Sequence, residues 1–271
     1  MKLGIGSYAY AWAIGVTGYP GPSDEAGLSA EQLLRRAAAL GVRVVQIADN
    51  LPLHSLTEEQ LVDLERLAGE LGVGVEVGTR GIRDLDRYLE LAVRFSSPIL
   101  RVVIDTADHH PDLPEVVRIF RTAMPAFQGE GVVLAVENHD RFTARQFRDM
   151  VDAVGSPDLG ICLDTVNSFG ALEGPEVVIA LLAPFTASLH IKDFTIYRPG
   201  HNMGFIVEGC PAGQGRLDIP GLLKQIKAAG RNPNAILELW VPPEQTIEQT
   251  ITKEQEWAET SVRYLRTLIP E

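Results

Sequence analysis

The chain has 271 residues, 45% hydrophobic and 22% charged, an ordinary globular balance with ample apolar matter for a large core and no biased tract. Its net charge of −12 argues against a nucleic-acid or anionic-membrane partner, because phosphates need a basic surface. Small anionic substrates are admitted only where cationic side chains gather inside a site.

No apolar run approaches the ~18 residues of a membrane span. Met1-Lys2 runs straight into a strand-like segment rather than a secretory leader. The two cysteines, Cys162 and Cys210, form no metal-spaced pair. The expected setting is reducing and cytoplasmic, with a single disulfide as the alternative.

Along the chain, short runs rich in Val, Ile and Leu alternate with amphipathic segments. The first predicted strand, Leu3–Tyr8, leads into Ser7-Tyr8-Ala9-Tyr10-Ala11-Trp12, which is no glycine-rich phosphate loop. Helix Ser29–Leu40 follows, then strand Val44–Ala48, helix Thr57–Leu71, strand Val73–Gly78 and helix Asp84–Phe95. Next come strand Ile99–Asp105, helix Leu113–Gln128, strand Val132–Glu137, helix Thr143–Val154, strand Leu159–Asp164 and helix Pro175–Ala183. Strand Ala187–Lys192, helix Pro220–Ala229, strand Ala235–Trp240 and helix Lys253–Leu268 complete the series. Ser29 with Gln32 and Thr57 with Gln60 fit capping-box starts, and Gly41, Gly72 and Gly230 stand where helices should stop.

Eight β-then-α units predict an α/β fold, a closed TIM (β/α)8 barrel forming a single domain over residues 1–271. One connection, Asp193 to Ile219, is unusually long. Within it Thr195–Arg198 and Met203–Val207 flank Pro199-Gly200-His201-Asn202, which predicts a β-hairpin insertion after strand 7, over the barrel mouth.

Active sites of such barrels lie at the C-terminal strand ends. The fifth to eighth strands end their apolar runs at Glu137, Asp164, His190 and Glu238. Small residues precede two of them on the same face, Ala135 below Glu137 and Cys162 and Gly160 below Asp164, which leaves room for a polar cluster. Three buried carboxylates repel strongly unless a cation joins them. This hard donor set predicts one divalent metal ion, Mn²⁺ or Mg²⁺ foremost, with Co²⁺, Fe²⁺ and Zn²⁺ also admitted.

Other polar residues are expected to line the site. His139 lies two past Glu137, and Lys192 two past His190. Lys192 can meet a substrate oxygen, neutralise an enediolate, or form a salt bridge with one of the carboxylates. Arg101, mid-strand, has a candidate ionic partner in Glu76 on the preceding strand and otherwise suits a substrate carboxylate. Asn167 and, on the hairpin, Arg198 are further substrate-binding candidates. Cys162 reads as a small core residue and His109-His110 as a surface turn.

The segments Val136-Glu137-Asn138-His139, Asp164-Thr165-Val166-Asn167, His190-Ile191-Lys192-Asp193 and Leu237-Glu238-Leu239-Trp240 resemble the xylose-isomerase-like sugar isomerase/epimerase superfamily. The resemblance spans essentially the whole chain in element order. It implies a Glu, Asp, His, Glu metal set on Glu137, Asp164, His190 and Glu238, with Glu137 and Glu238 doubling as acid and base; Lys192 is a further catalytic candidate from its position alone. Met203-Gly204-Phe205, Pro211-Ala212-Gly213-Gln214-Gly215 and Glu238-Leu239-Trp240-Val241-Pro242-Pro243 resemble the branch containing 3-oxo-isoapionate decarboxylase.

The expectation is an isomerase or epimerase acting through an enediolate on a small open-chain sugar or keto-sugar. The alternative is a metal-dependent decarboxylase of a branched 3-oxo sugar acid, since loss of CO₂ yields the same kind of enediolate. A non-catalytic sugar-binding protein and an apurinic endonuclease rank below. The endonuclease pattern needs many more His ligands, and the second and third strands here end at Asn50 and near Arg80. The expected partner is a small sugar or sugar acid. A homo-oligomer is left open, because acidic charge and exposed helices specify no interface.

Overall fold

The computed structural model describes residues 1–19, 21 and 27–270. Strands β1 (Leu3–Gly6), β2 (Val44–Ile47), β3 (Gly74–Arg80), β4 (Ile99–Val103), β5 (Val133–Glu137), β6 (Leu159–Asp164) and β7 (Thr186–Ile191) precede a hairpin of β8 (Asp193–Tyr197) and β9 (Ile206–Cys210), and β10 (Ala235–Leu237) follows it. The eight strands other than β8 and β9 close into a parallel barrel in the order β1-β10-β7-β6-β5-β4-β3-β2. The predicted α/β TIM barrel is therefore the observed fold.

Helices α1 (Ala11–Ile14), α2 (Ala30–Ala39), α3 (Glu58–Leu71), α4 (Leu85–Arg94), α5 (Leu113–Glu130), α6 (Ala144–Val154), α7 (Pro175–Leu182), α8 (Ile219–Ala228) and α9 (Ile247–Arg266) fall between the strands and after the last. Capping boxes open α2 at Ser29 and α3 at Thr57 as expected, and open α6 at Thr143 as well. The last helix starts six residues before the expected Lys253, because Thr246 and Gln249 form a further capping box at Ile247. Among the described residues no helix is long and apolar enough to cross a membrane.

The apolar residues divide into two packings. The large one joins barrel strands to helices, with Leu33, Leu64, Phe120, Phe127 and Phe147 fully or almost fully buried. A small one, Ile99, Ala135 and Cys162 with Val133 and Ala187, is separate. The small side chains expected beneath the strand ends thus pack together there.

The insertion is an antiparallel hairpin of β8 (Asp193–Tyr197) and β9 (Ile206–Cys210). Towards the barrel, the pairing extends two residues further on the first leg and three on the second than the sequence suggested. Asp193 fixes its base: Oδ1 accepts the N–H of Phe194 and Leu217 at 2.8 and 3.0 Å, and Oδ2 those of Gly213 and Gly215 at 2.8 and 2.9 Å. A Cβ on Gly215 would stand 2.1 Å from Asp193 Oδ1, so only glycine fits this stitch.

Candidate metal centre

The side chains of Glu137, Asp164, His190 and Glu238 meet inside the C-terminal end of the barrel, each no more than 1% exposed. Glu137 and Asp164 are the last residues of β5 and β6, and His190 pairs in register with Asp164. Strand β10 stops at Leu237, shorter than expected, yet the Glu238 N–H still bonds the Ile191 carbonyl at 3.2 Å and keeps its side chain at the rim. Gly6 on β1 makes room for it: a Cβ there would lie 3.1 Å from Glu238 Cγ and Oε1.

His190 Nδ1 is 3.5 Å from Glu137 Oε2, from Asp164 Oδ2 and from Glu238 Oε2. Bonds of about 2.1 Å to one ion separate tetrahedral donors by about 3.4 Å, so this spacing matches the edges of a coordination shell. Asp164 Oδ2, His190 Nδ1 and both Glu238 oxygens are buried without a hydrogen-bond partner. Buried polar atoms are normally satisfied, and orphaned donors converging on one point fit a cation. The Lys192 ammonium stands 2.9 Å from Asp164 Oδ2 and from Glu238 Oε2, at angles that make ion pairs but no hydrogen bonds. The salt-bridge option for Lys192 is therefore realised. Cys162 Sγ also lies within 4.8 Å of donor atoms of Glu137 and His190, but burial pushes its thiol up and keeps it protonated.

The remaining oxygens are held. Asp164 Oδ1 accepts the N–H of Val166 and of Asn167, each at 2.9 Å. Glu137 Oε1 accepts from Asn167 Nδ2 at 2.7 Å, and Oε2 accepts from Arg101 Nε. Asn138 braces β5 against β6: its Oδ1 accepts the Asp164 N–H at 2.7 Å and its Nδ2 donates to the Asp164 carbonyl at 2.9 Å.

Electrostatics keeps Glu137 and Asp164 ionised. Burial raises Glu137, but Arg101 and then His190 outweigh it and hold its carboxyl below the usual range. Burial likewise raises Asp164, and Lys192 and His190 pull it well below. Burial lowers Lys192, yet Asp164 and Glu238 hold its ammonium well above the ordinary lysine value.

Arg101 corrects one expectation. Its partners are Glu137 and Asp49, the latter at 3.0 Å from Nη1, and not Glu76. Arg101 is in register with Gly78 on β3 and Ala135 on β5, one layer above Glu76 on the barrel wall. Asp49 also binds Arg80 Nε and the Tyr8 hydroxyl, both at 3.0 Å. Asn167 joins the cluster, contacting Glu137 and lying 3.4 Å from Lys192 Nζ.

Two predicted substrate residues stand apart. His139 is half-buried and its Nδ1 contacts Asp140 at 3.1 Å. Arg198 is exposed at the hairpin tip, stacked 4.4 Å over Phe205 and bonded to the Asn202 carbonyl. Sequence reasoning missed Tyr8, Gln46 and Asp49. Gln46 had a signal: an amide inside Val-Val-Gln-Ile, a strand buried on both faces, needs polar partners.

A profile of the xylose isomerase-like TIM barrel family matches residues 22–268. The chain is 36% identical over 272 aligned residues to 3-oxo-isoapionate decarboxylase of Pectobacterium atrosepticum, covering 100% of this chain and 97% of that protein. Its fold is shared with a D-psicose 3-epimerase from Clostridium cellulolyticum H10 solved with D-tagatose, at TM-score 0.74, 17% identity and 99% of both chains. It is shared also with a xylose isomerase-like TIM barrel protein from Mycobacterium smegmatis in complex with magnesium, at TM-score 0.70, 12% identity and 97% of both chains.

Proposed function

The chain belongs to the xylose isomerase-like TIM barrel family, and from that membership we propose that it is a metal-dependent decarboxylase of a small 3-oxo sugar acid. Glu137, Asp164, His190 and Glu238 would hold one divalent ion, Mn²⁺ or Mg²⁺. When bound, that ion supplies Lewis-acid polarisation of adjacent substrate oxygens.

The observation that carries this choice is the engagement of Glu137. Both of its oxygens accept hydrogen bonds, from Asn167 and Arg101, and its carboxyl is held below the usual range. Such a carboxylate is a poor base, whereas isomerase and epimerase chemistry needs a proton taken from carbon. Decarboxylation takes none. The bond between the carboxyl carbon and C2 breaks, CO₂ leaves, and the electron pair moves onto the 3-oxo group to give an enolate. Lys192, kept as an ammonium, would stabilise the growing negative charge, and water would return the proton to C2. Arg101 and Asn167 act by fixing Glu137.

The full-length relative named for a 3-oxo acid supports the same class.

Epimerase chemistry is the second reading, because both Glu238 oxygens lack hydrogen bonds and Glu238 is the freer base. The test is incubation with Mn²⁺ and either a branched 3-oxo sugar acid or a ketose in D₂O. CO₂ release from the acid is expected. It should stop on chelation and return with Mn²⁺ or Mg²⁺. Deuterium exchange into the ketose with no CO₂ from any 3-oxo acid would sink the decarboxylase reading.

A further inference from the structure

We propose that Gln46 and Glu76 are positioning residues that dictate which nitrogen of His190 faces the metal ligands. The proposal rests on the metal reading above. Gln46 on β2 and Glu76 on β3 are neighbours in register, and both are buried, at 0% and 4% exposure.

The cue starts from the backbone at the N-terminal end of the barrel. The Lys2 N–H donates to Asn234 Oδ1 at 3.2 Å, so the Asn234 amide nitrogen faces the other way, and it donates to Glu76 Oε1 at 2.7 Å. Glu76 Oε2 accepts from Gln46 Nε2 at 3.0 Å, and Gln46 Nε2 also donates to Ser188 Oγ at 3.3 Å. The amide nitrogen thus faces acceptors, and the Gln46 carbonyl oxygen must face away from them. It lies 2.6 Å from His190 Nε2. A carbonyl oxygen only accepts, so Nε2 carries a proton. In the neutral ring the lone pair then belongs to Nδ1, the atom 3.5 Å from the oxygens of Glu137, Asp164 and Glu238.

Each link leaves the next one orientation. A glutamine beside the imidazole alone could sit either way round. The carboxylate behind it, capped by Asn234, removes that choice. A ring turned to offer Nε2 to a metal would leave the Gln46 carbonyl without its donor in the barrel interior, where an unmade hydrogen bond is strongly unfavourable. This is how an outer hydrogen bond fixes the tautomer and direction of a metal-binding histidine.

The test measures Mn²⁺ affinity by calorimetry on the full chain, with thermal melts alongside. Gln46→Met keeps the volume and removes the acceptor; affinity is expected to fall about 10–100-fold. Glu76→Gln keeps the acceptor but frees the amide to turn, with a loss of about 3–10-fold. The exchanged pair, Gln46→Glu with Glu76→Gln, again presents an acceptor to His190 and a donor behind it. Its affinity should return to within about threefold of wild type. A role in packing alone gives no such rescue. Wild-type affinity in Gln46→Met, or an exchanged pair as weak as Gln46→Met, overturns the proposal. If Gln46→Met does not fold, the other two variants decide. If the wild type takes up no Mn²⁺, the metal reading falls separately. Imidazole ¹⁵N shifts of the neutral His190 ring in the metal-free protein then decide the orientation: a proton on Nε2 with a bare Nδ1 supports it, and a bare Nε2 overturns it.

Discussion

The two halves of the barrel wall make unlike contributions to one site. Strands β5, β6 and β7 and the residue after β10 bring Glu137, Asp164, His190 and Glu238, whose free atoms converge. Strands β1 to β4 and their loops bring Tyr8, Gln46, Asp49, Glu76 and Arg101, which converge on nothing of their own and instead hold one another and the first group. On the metal reading proposed above, one half offers donors and the other uses its polar groups to aim them. A barrel permits this because opposite strands face each other across an interior a few side chains wide.

The comparison breaks most visibly at Arg101. Arg101→Met should destabilise the fold by about 3–5 kcal/mol, because Glu137 would keep a buried charge without its cation. Denaturant titration measures this, and a loss below about 1 kcal/mol would mean that the first half is not holding the second. Glu238→Gln should leave the fold within about 1 kcal/mol of wild type while turnover drops on the order of 10²–10³-fold. Unfolding curves and CO₂ release together read that contrast.

One of the two seams between the halves lies where β1 pairs with β10, and α9 lies against the segment after β1. There Glu254, buried on α9, accepts the N–H of Trp12 and Ala13 at 2.9 and 3.0 Å. Burial raises its carboxyl from 4.5 to about 7, despite the two backbone donors. A pKa raised on folding favours the folded state while the group is protonated. The contribution is complete below about pH 4.5 and is lost as pH rises through about 7, roughly 3 kcal/mol in all. Stability of the wild type between pH 5 and 8 should therefore fall relative to Glu254→Gln, which cannot ionise. Parallel pH profiles would remove Glu254 as the cause. The smallest effect is expected at the hairpin tip, where Arg198→Ala should change kcat/KM by less than about threefold, since among the described residues Arg198 meets Asn202 and Phe205 and no member of the site.

The residues of the proposed donor half are legible in the sequence and those of the other half are not, for a physical reason. Glu137, Asp164, His190 and Glu238 stand where apolar runs stop, so each is visible as a break in a one-dimensional pattern. Arg101 and Glu76 were visible too, as charges inside buried strands, but their partners follow from the layer each occupies on the wall. Register puts Gln46 beside Glu76, and Arg101 level with Gly78. That offset arises from the stagger of parallel strands and has no trace in spacing along the chain. Asp49 lies just beyond the end of β2, where a carboxylate reads as an ordinary loop residue. The late start assigned to α9 has a simpler cause: the Thr246–Gln249 box was present in the sequence and the apolar periodicity of the first turn was too weak to draw attention to it.

The stitch at Asp193 has a consequence for how such a chain can change over generations. Its carboxylate gathers the N–H groups of Phe194, Gly213, Gly215 and Leu217, so both legs of the hairpin are tied where they leave the barrel. Whatever happens between the legs is mechanically isolated from the wall below. The stretch from Arg198 to Phe205 can lengthen, shorten or exchange its residues while β7 and α8 keep their places. A duplicated gene could therefore try new hairpin tips on the same barrel, one short stretch of codons at a time, with the wall beneath left intact.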